Sequence, residues 1–210
     1  MDVDEIAHGL KFDGFVAVEN ALPAALLARL DDGCNHSAAA PFVPGGVGRG
    51  RQRTQDSDIR GDTIRWLDDA NAADHDYLTS METLRMALNQ QLYLGLFDYD
   101  CHYAIYDTGS HYQRHLDTLG GAKNRLLSTV VYLNDQWALA DGGELLLYRG
   151  SDQRPTARIL PEPGLMVLFL SEDFPHEVLA ARKPRHSLAG WFRGRGAGDV
   201  AQLTRKDETP

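Results

Sequence analysis

The chain has 210 residues, 43% apolar and 24% charged, which is typical of a folded globular protein and excludes collagen-like and wholly disordered chains. Its 21 basic and 30 acidic residues give a net charge of −9, so we expect no nucleic-acid partner. The longest apolar run, residues 165–170, is far shorter than the roughly 20 residues that cross a bilayer, so we expect no membrane partner.

The N-terminal sequence MDVDEIAHG is acidic and lacks the apolar stretch of a secretory signal. The two cysteines, Cys34 and Cys101, are too few for a disulfide framework or a four-thiolate zinc site. We therefore expect reduced cysteines and a cytoplasmic protein. The length fits one large domain, and we expect a monomer.

The first half of the chain carries helical patterns and one early strand. The apolar residues 15–18 follow Asp13-Gly14 and predict a short strand, and Pro23 in the first turn of LPAALLARL predicts a helix over residues 22–30. A longer helix is predicted over residues 74–96, because apolar residues recur three and four apart and share one face: Tyr77, Met81, Leu84, Leu88 and Leu92.

That long helix has a candidate start signal, since Thr79 and Glu82 have the spacing of a capping box. Before it, residues 41–58 (PFVPGGVGRGRQRTQDSD) combine four glycines, two prolines and three arginines without a hydrophobic period. This composition predicts a long mobile loop, which is either a solvated linker or a lid over a site. The segment lacks the Gly-Lys-Ser/Thr ending of a phosphate-binding loop.

From Tyr99 onward the hydrophobic period changes to two, with the turn sequences Asp-Gly-Gly at 141–143 and Glu-Pro-Gly at 162–164. The predicted strands are residues 100–106, 111–117, 126–133, 144–149, 165–170 and 186–193. Helices followed by strands predict an α+β fold, in which two packed sheets form a jelly roll or sandwich with the helices against one outer face.

A candidate metal site lies in the stranded half. In a strand the residues i and i+2 point to the same side, so His115 and Asp117 can converge on one point. His176, which follows the apolar strand 165–170, can supply a third ligand. Two histidines and one carboxylate form the facial triad that binds non-haem Fe(II) and leaves coordination positions open. Alone, the His-x-Asp pair is more often a surface polar pair.

Arg185 stands nine residues after His176, at the start of the strand 186–193. An arginine that points into a β-sandwich needs a carboxylate partner, which is either a protein side chain or a bound dicarboxylate. The residues alone leave both partners open. The two-residue period places Arg185, Ser187, Ala189 and Trp191 on one face of this strand.

Taken together, these motifs resemble the 2-oxoglutarate- and Fe(II)-dependent oxygenases, and among them the prolyl hydroxylases that modify hypoxia-inducible factor. The resemblance covers most of the chain, up to Trp191, and is closest to the minimal bacterial-type catalytic domain. Its matching segments, in the order of the family, are residues 58–66 (DIRGDTIRW), 115–117 (HLD), 131–134 (VYLN), 142–143 (GG), 175–178 (PHEV), Arg185 and 191–192 (WF).

The resemblance implies a double-stranded β-helix, a jelly-roll, cupin-like core buttressed by N-terminal helices. Within a single domain, residues 1–98 would form the helical and strand support region, with the mobile substrate loop at 41–58. Residues 99–193 would form the catalytic core, and residues 194–210 a C-terminal tail.

The resemblance also implies roles for particular residues. His115, Asp117 and His176 would bind the catalytic iron. Arg185 would pair with the distal carboxylate of 2-oxoglutarate, to which the Tyr132 hydroxyl would also donate. The remaining implied roles are cosubstrate binding by Tyr106 and Trp191 and recognition of the substrate by Arg60, Asp62 and Arg125. We assign no ligand role to His102 and expect a core or rim histidine there.

The implied activity is that of a 2-oxoglutarate-dependent dioxygenase that converts a prolyl residue of a protein substrate to trans-4-hydroxyproline, with succinate and CO2 as coproducts. Fe(II), 2-oxoglutarate and O2 would be required, with ascorbate as a candidate reductant. Elongation factor Tu is a candidate substrate, because bacterial members of the family suggest a translation factor.

Two other interpretations remain open at the level of sequence. The same chemistry could act on a free amino acid or other small molecule, although the long basic loop at 41–58 favours a polypeptide. Alternatively, the protein could be a non-catalytic β-sandwich module in which the histidines are structural or hold zinc. That module would retain Zn(II) tightly and would not turn over 2-oxoglutarate.

Overall fold

The computed structural model describes residues 1–36, 40–46, 55–118 and 124–195. Within these residues, three α-helices and eleven strands follow in the order α1 (Val3–Phe12), β1 (Phe15–Val18), α2 (Ala24–His36), β2 (Val43–Pro44), β3 (Asp62–Trp66), α3 (Ala72–Leu92), β4 (Leu96–Tyr106), β5 (Tyr112–His115), β6 (Arg125–Tyr132), β7 (Leu145–Leu147), β8 (Ala157–Ile159), β9 (Met166–Leu170), β10 (His176–Val178) and β11 (Arg185–Gly194).

The strands form two antiparallel sheets. The large sheet has the order β1-β9-β6-β11-β4-β3-β2, and the small sheet has the order β5-β10-β7-β8. A cluster of buried side chains lies between them, with Ile64, Tyr106 and Phe169 from the large sheet and Leu145 and Val178 from the small one. The predicted α+β jelly roll, the double-stranded β-helix, is therefore confirmed.

The helices pack on the outer face of the large sheet, where a second buried cluster joins them to β4, β6 and β11. The predicted face of α3 is the buried one, and Tyr77, Met81 and Leu84 are almost completely enclosed. Burial of this face anchors the helix more strongly than its intrinsic propensity does. No helix in the described part of the chain combines the length and apolarity needed to span a membrane.

The structure corrects the predicted ends of α3. Its N-cap is Asn71, whose side-chain oxygen accepts hydrogen bonds from the backbone N–H groups of Ala73 and Asp74. The predicted capping box is therefore wrong: Thr79 lies inside the helix, and Glu82 pairs with an arginine one turn later. The helix ends at Leu92 rather than residue 96, because the chain reverses there to start β4.

Other elements were not predicted. The first is α1, which Asp2 caps at its N-terminus and which buries a narrow apolar face, and the others are β3 and the short strands β2, β8 and β10. Part of the predicted loop at 41–58 is ordered, since β2 pairs with β3. Residues 47–54 of that loop, and residues 196–210 of the predicted tail, lie outside the described residues.

Candidate active site

A cavity of about 300 Å³ lies between the two sheets. Its floor is the large sheet, in which β4 and β11 pair antiparallel, with Tyr106 opposite Arg185 and His102 opposite Ala189. Alternate residues of these strands face the cavity, as the two-residue period requires. They include His102, Ala104 and Tyr106 of β4 and Arg185, Ser187, Ala189 and Trp191 of β11.

Three candidate metal ligands converge at the cavity wall. His115 ends β5, Asp117 follows it by two residues, and His176 begins β10, which pairs with β5 so that the two histidines are opposite each other. Nε2 of His115 lies 3.8 Å from Asp117 Oδ1, and Nε2 of His176 lies 3.6 Å from Asp117 Oδ2. One ligand atom from each of the three residues lies within 4.8 Å of the others.

Hydrogen bonds fix the orientation of these ligands. His115 Nδ1 lies 2.8 Å from the carbonyl oxygen of Gln113, and His176 Nδ1 lies 3.0 Å from that of Phe174. A carbonyl oxygen only accepts, so each Nδ1 carries the proton and each Nε2 presents its lone pair to the site. The Ser128 hydroxyl donates to Asp117 Oδ2 at 2.6 Å and thereby holds the carboxylate.

The electrostatics keep the ligands in metal-binding forms. Burial, and then the neighbouring His176, lower the pKa of His115 to about 3, so its ring is neutral at physiological pH. Burial opposes the charge on Asp117, but the two imidazoles and the Ser128 hydrogen bond outweigh it and lower the pKa of this carboxyl to about 2. The neutral His115 imidazole and the ionised Asp117 carboxylate, together with the His176 imidazole, fit Fe(II).

Arg185 lies deep in the cavity, 2% exposed, and no carboxylate of the described residues forms an ion pair with it. Its Nε donates to the carbonyl oxygen of Gly143 at 3.0 Å, and Nη1 donates to Ser187 Oγ at 3.3 Å. Gly143 has φ +72°, and a Cβ there would lie 3.2 Å from Cδ of Arg185, so a glycine suits this close approach. A buried arginine without an anionic partner is costly, which indicates that the partner is a ligand.

The hydroxyl of Tyr132 is sealed from solvent without a hydrogen-bond partner of ordinary geometry in the described part of the chain. The guanidinium carbon of Arg185 lies 4.9 Å from the centre of the Tyr132 ring. Burial raises the pKa of this phenol, against the opposing effect of Arg185, so it remains a donor. An orphaned donor beside a buried guanidinium fits the carboxylate of a dicarboxylate such as 2-oxoglutarate.

The two other predicted cosubstrate residues, Tyr106 and Trp191, border the cavity together with Arg185. The Tyr106 ring lies 5.2 Å from the guanidinium carbon of Arg185, on the side opposite to Tyr132 in strand order. Burial raises the pKa of Tyr106, so its hydroxyl is protonated. Trp191 lies at the other end of β11, where it pairs in register with Ser128.

The predicted substrate residues lie around the cavity wall. Arg60 and Asp62 form a two-point ion pair at 2.6 and 2.8 Å, and Arg60 Nη1 also donates to the carbonyl oxygen of Gly46 at 3.3 Å. Burial opposes the charge on Arg60, but the Asp62 carboxylate outweighs it and raises the Arg60 pKa. Arg125 stacks on Trp191, with its guanidinium carbon 3.6 Å from the ring centre.

His102, for which the sequence predicted no ligand role, is a further residue of the cavity lining. It is buried, as expected, but it also lines the cavity between two tryptophans. The signal that could have found it is parity: His102 stands four residues before Tyr106 and therefore shares its face of β4.

Comparisons with known proteins identify the class. Residues 101–193 match the model of the 2OG-Fe(II) oxygenase superfamily. The crystal structure of a Pseudomonas putida prolyl-4-hydroxylase superposes with a TM-score of 0.82 at 38% identity, covering 92% of this chain and 100% of that one. The chain therefore belongs to the 2OG-Fe(II) oxygenase superfamily, whose members use Fe(II), 2-oxoglutarate and O2.

Within that superfamily, the relatives of this chain include prolyl hydroxylases. The hypoxia-inducible factor prolyl hydroxylase of Caenorhabditis elegans is 29% identical over 160 residues, which are 71% of this chain and 22% of that protein. The chain thus spans about a fifth of the length of that relative. A prolyl hydroxylase from Trichoplax adhaerens, solved with a peptide fragment of hypoxia-inducible factor, shares the fold at a TM-score of 0.77 and 24% identity, over 99% of this chain and 93% of that one.

Proposed function

We propose that this protein is a prolyl 4-hydroxylase that forms trans-4-hydroxyproline within a polypeptide, with 2-oxoglutarate and O2 as cosubstrates and succinate and CO2 as coproducts. The likeness to the Pseudomonas putida enzyme over that chain's whole length supports the choice of proline. The observation that carries the oxygenase chemistry is Arg185, a buried cation with no carboxylate of the described residues to pair with, in the same cavity as a two-histidine, one-carboxylate cluster.

The bound iron supplies the activation of dioxygen: one oxygen atom enters the C4–H bond of proline, the other enters succinate as 2-oxoglutarate loses CO2, and each organic substrate gives up two electrons. His115, Asp117 and His176 hold the metal. Arg185 and Tyr132 hold the far carboxylate of 2-oxoglutarate, so that the cosubstrate has one orientation. The buried walls exclude water from the reacting groups.

The other end of the cavity suits a polypeptide. Trp66 is 51% exposed there, and Arg125 is stacked on Trp191, so apolar rings and a cation border the opening. A proline ring is apolar and packs well on an indole. Gly46, from the predicted substrate loop, also lines the cavity and is joined to Arg60 by a hydrogen bond. We assign peptide recognition to Arg60, Asp62 and Arg125 on this basis.

We also propose that the enzyme works in the cytoplasm on a protein substrate. Both cysteines are free and buried, which suits a reducing cytoplasm. A protein that contains a target proline would be the partner, with elongation factor Tu as the candidate, and the enzyme would act as a monomer. Ascorbate would restore iron that has been oxidised in turnovers without substrate.

The test is anaerobic reconstitution with Fe(II), followed by measurement of succinate after air is admitted, with and without a cell lysate. We expect succinate that rises with lysate, and a lysate protein in which mass spectrometry finds one oxygen atom added to a proline. His115→Ala should abolish both signals, whereas His75→Ala, an exposed histidine on α3, should change neither.

The same experiment separates the alternatives. Succinate that responds to free amino acids but not to lysate protein would indicate a small-molecule oxygenase. No succinate above the His115→Ala background, together with tight retention of Zn(II), would contradict the enzyme and favour a metal-stabilised binding module.

A further inference from the structure

The imidazole of His102 holds neither the iron nor 2-oxoglutarate in the proposed function. The residue is 2% exposed and lines the cavity. It lies between two indoles, with ring centres 5.2 Å from Trp66 and 5.5 Å from Trp191. A polar ring between two tryptophans in a substrate cavity needs a hydrogen-bonding partner for each nitrogen.

One nitrogen has its partner in the protein. Nδ1 lies 3.0 Å from the carbonyl oxygen of Tyr103, and because that oxygen only accepts, Nδ1 carries the proton. Nε2 is then a lone-pair acceptor, and no hydrogen bond joins it to any of the described residues. Among those residues only the Tyr132 hydroxyl is both sealed and unpartnered, so Nε2 of His102 is open to the cavity.

Strand register places His102 at the substrate end of the cavity. Arg185 is opposite Tyr106, and Ala189 is opposite His102, which lies four residues before Tyr106 in β4. Four residues of an antiparallel strand span about 13 Å. The carboxylate-binding end at Arg185 is thus separated from His102, which neighbours the half-exposed Trp66.

We propose that Nε2 of His102 accepts a hydrogen bond from a main-chain N–H group that flanks the target proline, and that His102 thereby selects polypeptide substrates and sets their register. This inference rests on the proposed prolyl hydroxylase function. Proline has no N–H group of its own within a chain, so a neighbouring residue must supply the donor. The two flanking indoles pack against the proline ring, while the imidazole accepts the hydrogen bond from the main chain beside it.

The charge state agrees with this geometry. Burial, and then the Arg60 guanidinium, lower the pKa of His102 to about 4, with Asp62 opposing and Arg125 assisting more weakly. The ring is therefore neutral at physiological pH and keeps its acceptor. A neutral acceptor that is buried in a cavity also penalises ligands that offer it no donor.

Two variants isolate the acceptor. His102→Asn keeps a donor close to the Tyr103 carbonyl but cannot reach the cavity, whereas His102→Gln extends an amide oxygen towards the position of Nε2. The probe is a synthetic peptide that contains the proline found hydroxylated in the lysate, together with two analogues N-methylated at the residue before or after that proline.

We expect His102→Asn to raise the KM for the parent peptide about tenfold, with little change in kcat or in the KM for 2-oxoglutarate, and His102→Gln to recover most of that loss. One N-methylated peptide should show a similar rise in KM with the wild-type enzyme and no further rise with His102→Asn.

Additive effects of variant and methylation, or equal KM values for His102→Asn and wild type, would overturn the role of His102. A wild-type enzyme that releases succinate but hydroxylates no peptide would instead overturn the proposed function, and the inference with it.

Discussion

The Ser128 hydroxyl donates to Oδ2 of Asp117 at 2.6 Å and, at 2.8 Å, can itself accept only from Ser171, since its single proton is already used. This chain of hydroxyls connects a candidate iron ligand to β6 of the large sheet. The metal site is thus assembled from the edge of the small sheet but oriented by the large one.

Replacing Ser128 by alanine should weaken Fe(II) binding about 10- to 100-fold, because the Asp117 carboxylate loses the donor that orients it. The measurement is the Fe(II) concentration that gives half-maximal succinate formation, with the KM for 2-oxoglutarate recorded alongside. Ser171→Ala is the matched control and should have a smaller effect, since it only removes a donor to Ser128. Equal Fe(II) affinities for Ser128→Ala and wild type would contradict this role.

Tyr132→Phe should stabilise the free protein but weaken its binding of 2-oxoglutarate. In the free protein the Tyr132 hydroxyl is buried without a partner among the described residues, so its removal should raise the free energy of unfolding by about 1 kcal/mol. The same change removes a donor to 2-oxoglutarate and should raise its KM about tenfold. Urea unfolding without 2-oxoglutarate and steady-state kinetics measure the two effects.

Tyr106→Phe provides the comparison for that prediction, because the Tyr106 ring also lies beside the Arg185 guanidinium but its hydroxyl is not sealed without a partner among the described residues. It should not stabilise the free protein. If Tyr132→Phe destabilised the free protein instead, the hydroxyl would have a hydrogen bond that this geometry lacks. An unchanged KM for 2-oxoglutarate would remove Tyr132 from the cosubstrate site.

Much of the fold was predictable from the sequence because local patterns determined it. The spacing of Tyr77, Met81 and Leu84 gave the buried face of α3, and the two-residue period gave β11 with Arg185 and Trp191 on one face. The short elements were not predicted. The apolar face of α1 is narrow, and the three-residue strands β8 and β10 are too short to show a hydrophobic period. Their pairing depends on neighbours that are distant in sequence.

Less of the candidate site than of the fold could be predicted from local sequence patterns. Parity alone suggested that His115 and Asp117 converge, but their meeting with His176 depends on the pairing of β5 with β10, which sequence spacing does not reveal. The resemblance to a known family supplied that step. The role proposed for His102 could not be predicted, because it depends on an open nitrogen in an enclosed cavity, a property of packing rather than of any motif.

The stability of the metal-free protein should fall as the pH decreases from 6.5 towards 4. Burial is the main reason that the pKa of His102 drops from 6.5 to about 4 on folding, so between these values the unfolded chain binds a proton that the folded chain does not. This contribution to stability is complete above pH 6.5 and lost as the pH falls through the window, amounting to roughly 3 kcal/mol.

Urea unfolding at a series of pH values, with wild type and His102→Asn, measures this dependence. The variant should lose less stability between pH 6.5 and 4, because its side chain does not titrate. Part of the dependence should remain, since the pKa of His115 is lowered in the same direction. Superimposable pH profiles for the two proteins would show that His102 is protonated in the folded state at ordinary pKa.

Asp62→Asn should destabilise the protein by about 3 kcal/mol, because it leaves the guanidinium of Arg60 enclosed without its two-point partner. The double variant Arg60→Met/Asp62→Leu removes both charges and should be more stable than the single variant, since no unpaired buried charge remains. Both should raise the KM for the peptide substrate if the pair shapes the substrate end of the cavity.

Thermal and urea unfolding of the single and double variants measure the effect on stability, and peptide kinetics measure the effect on KM. A double variant that is no more stable than Asp62→Asn would show that the loss comes from altered packing at β3 rather than from an uncompensated charge.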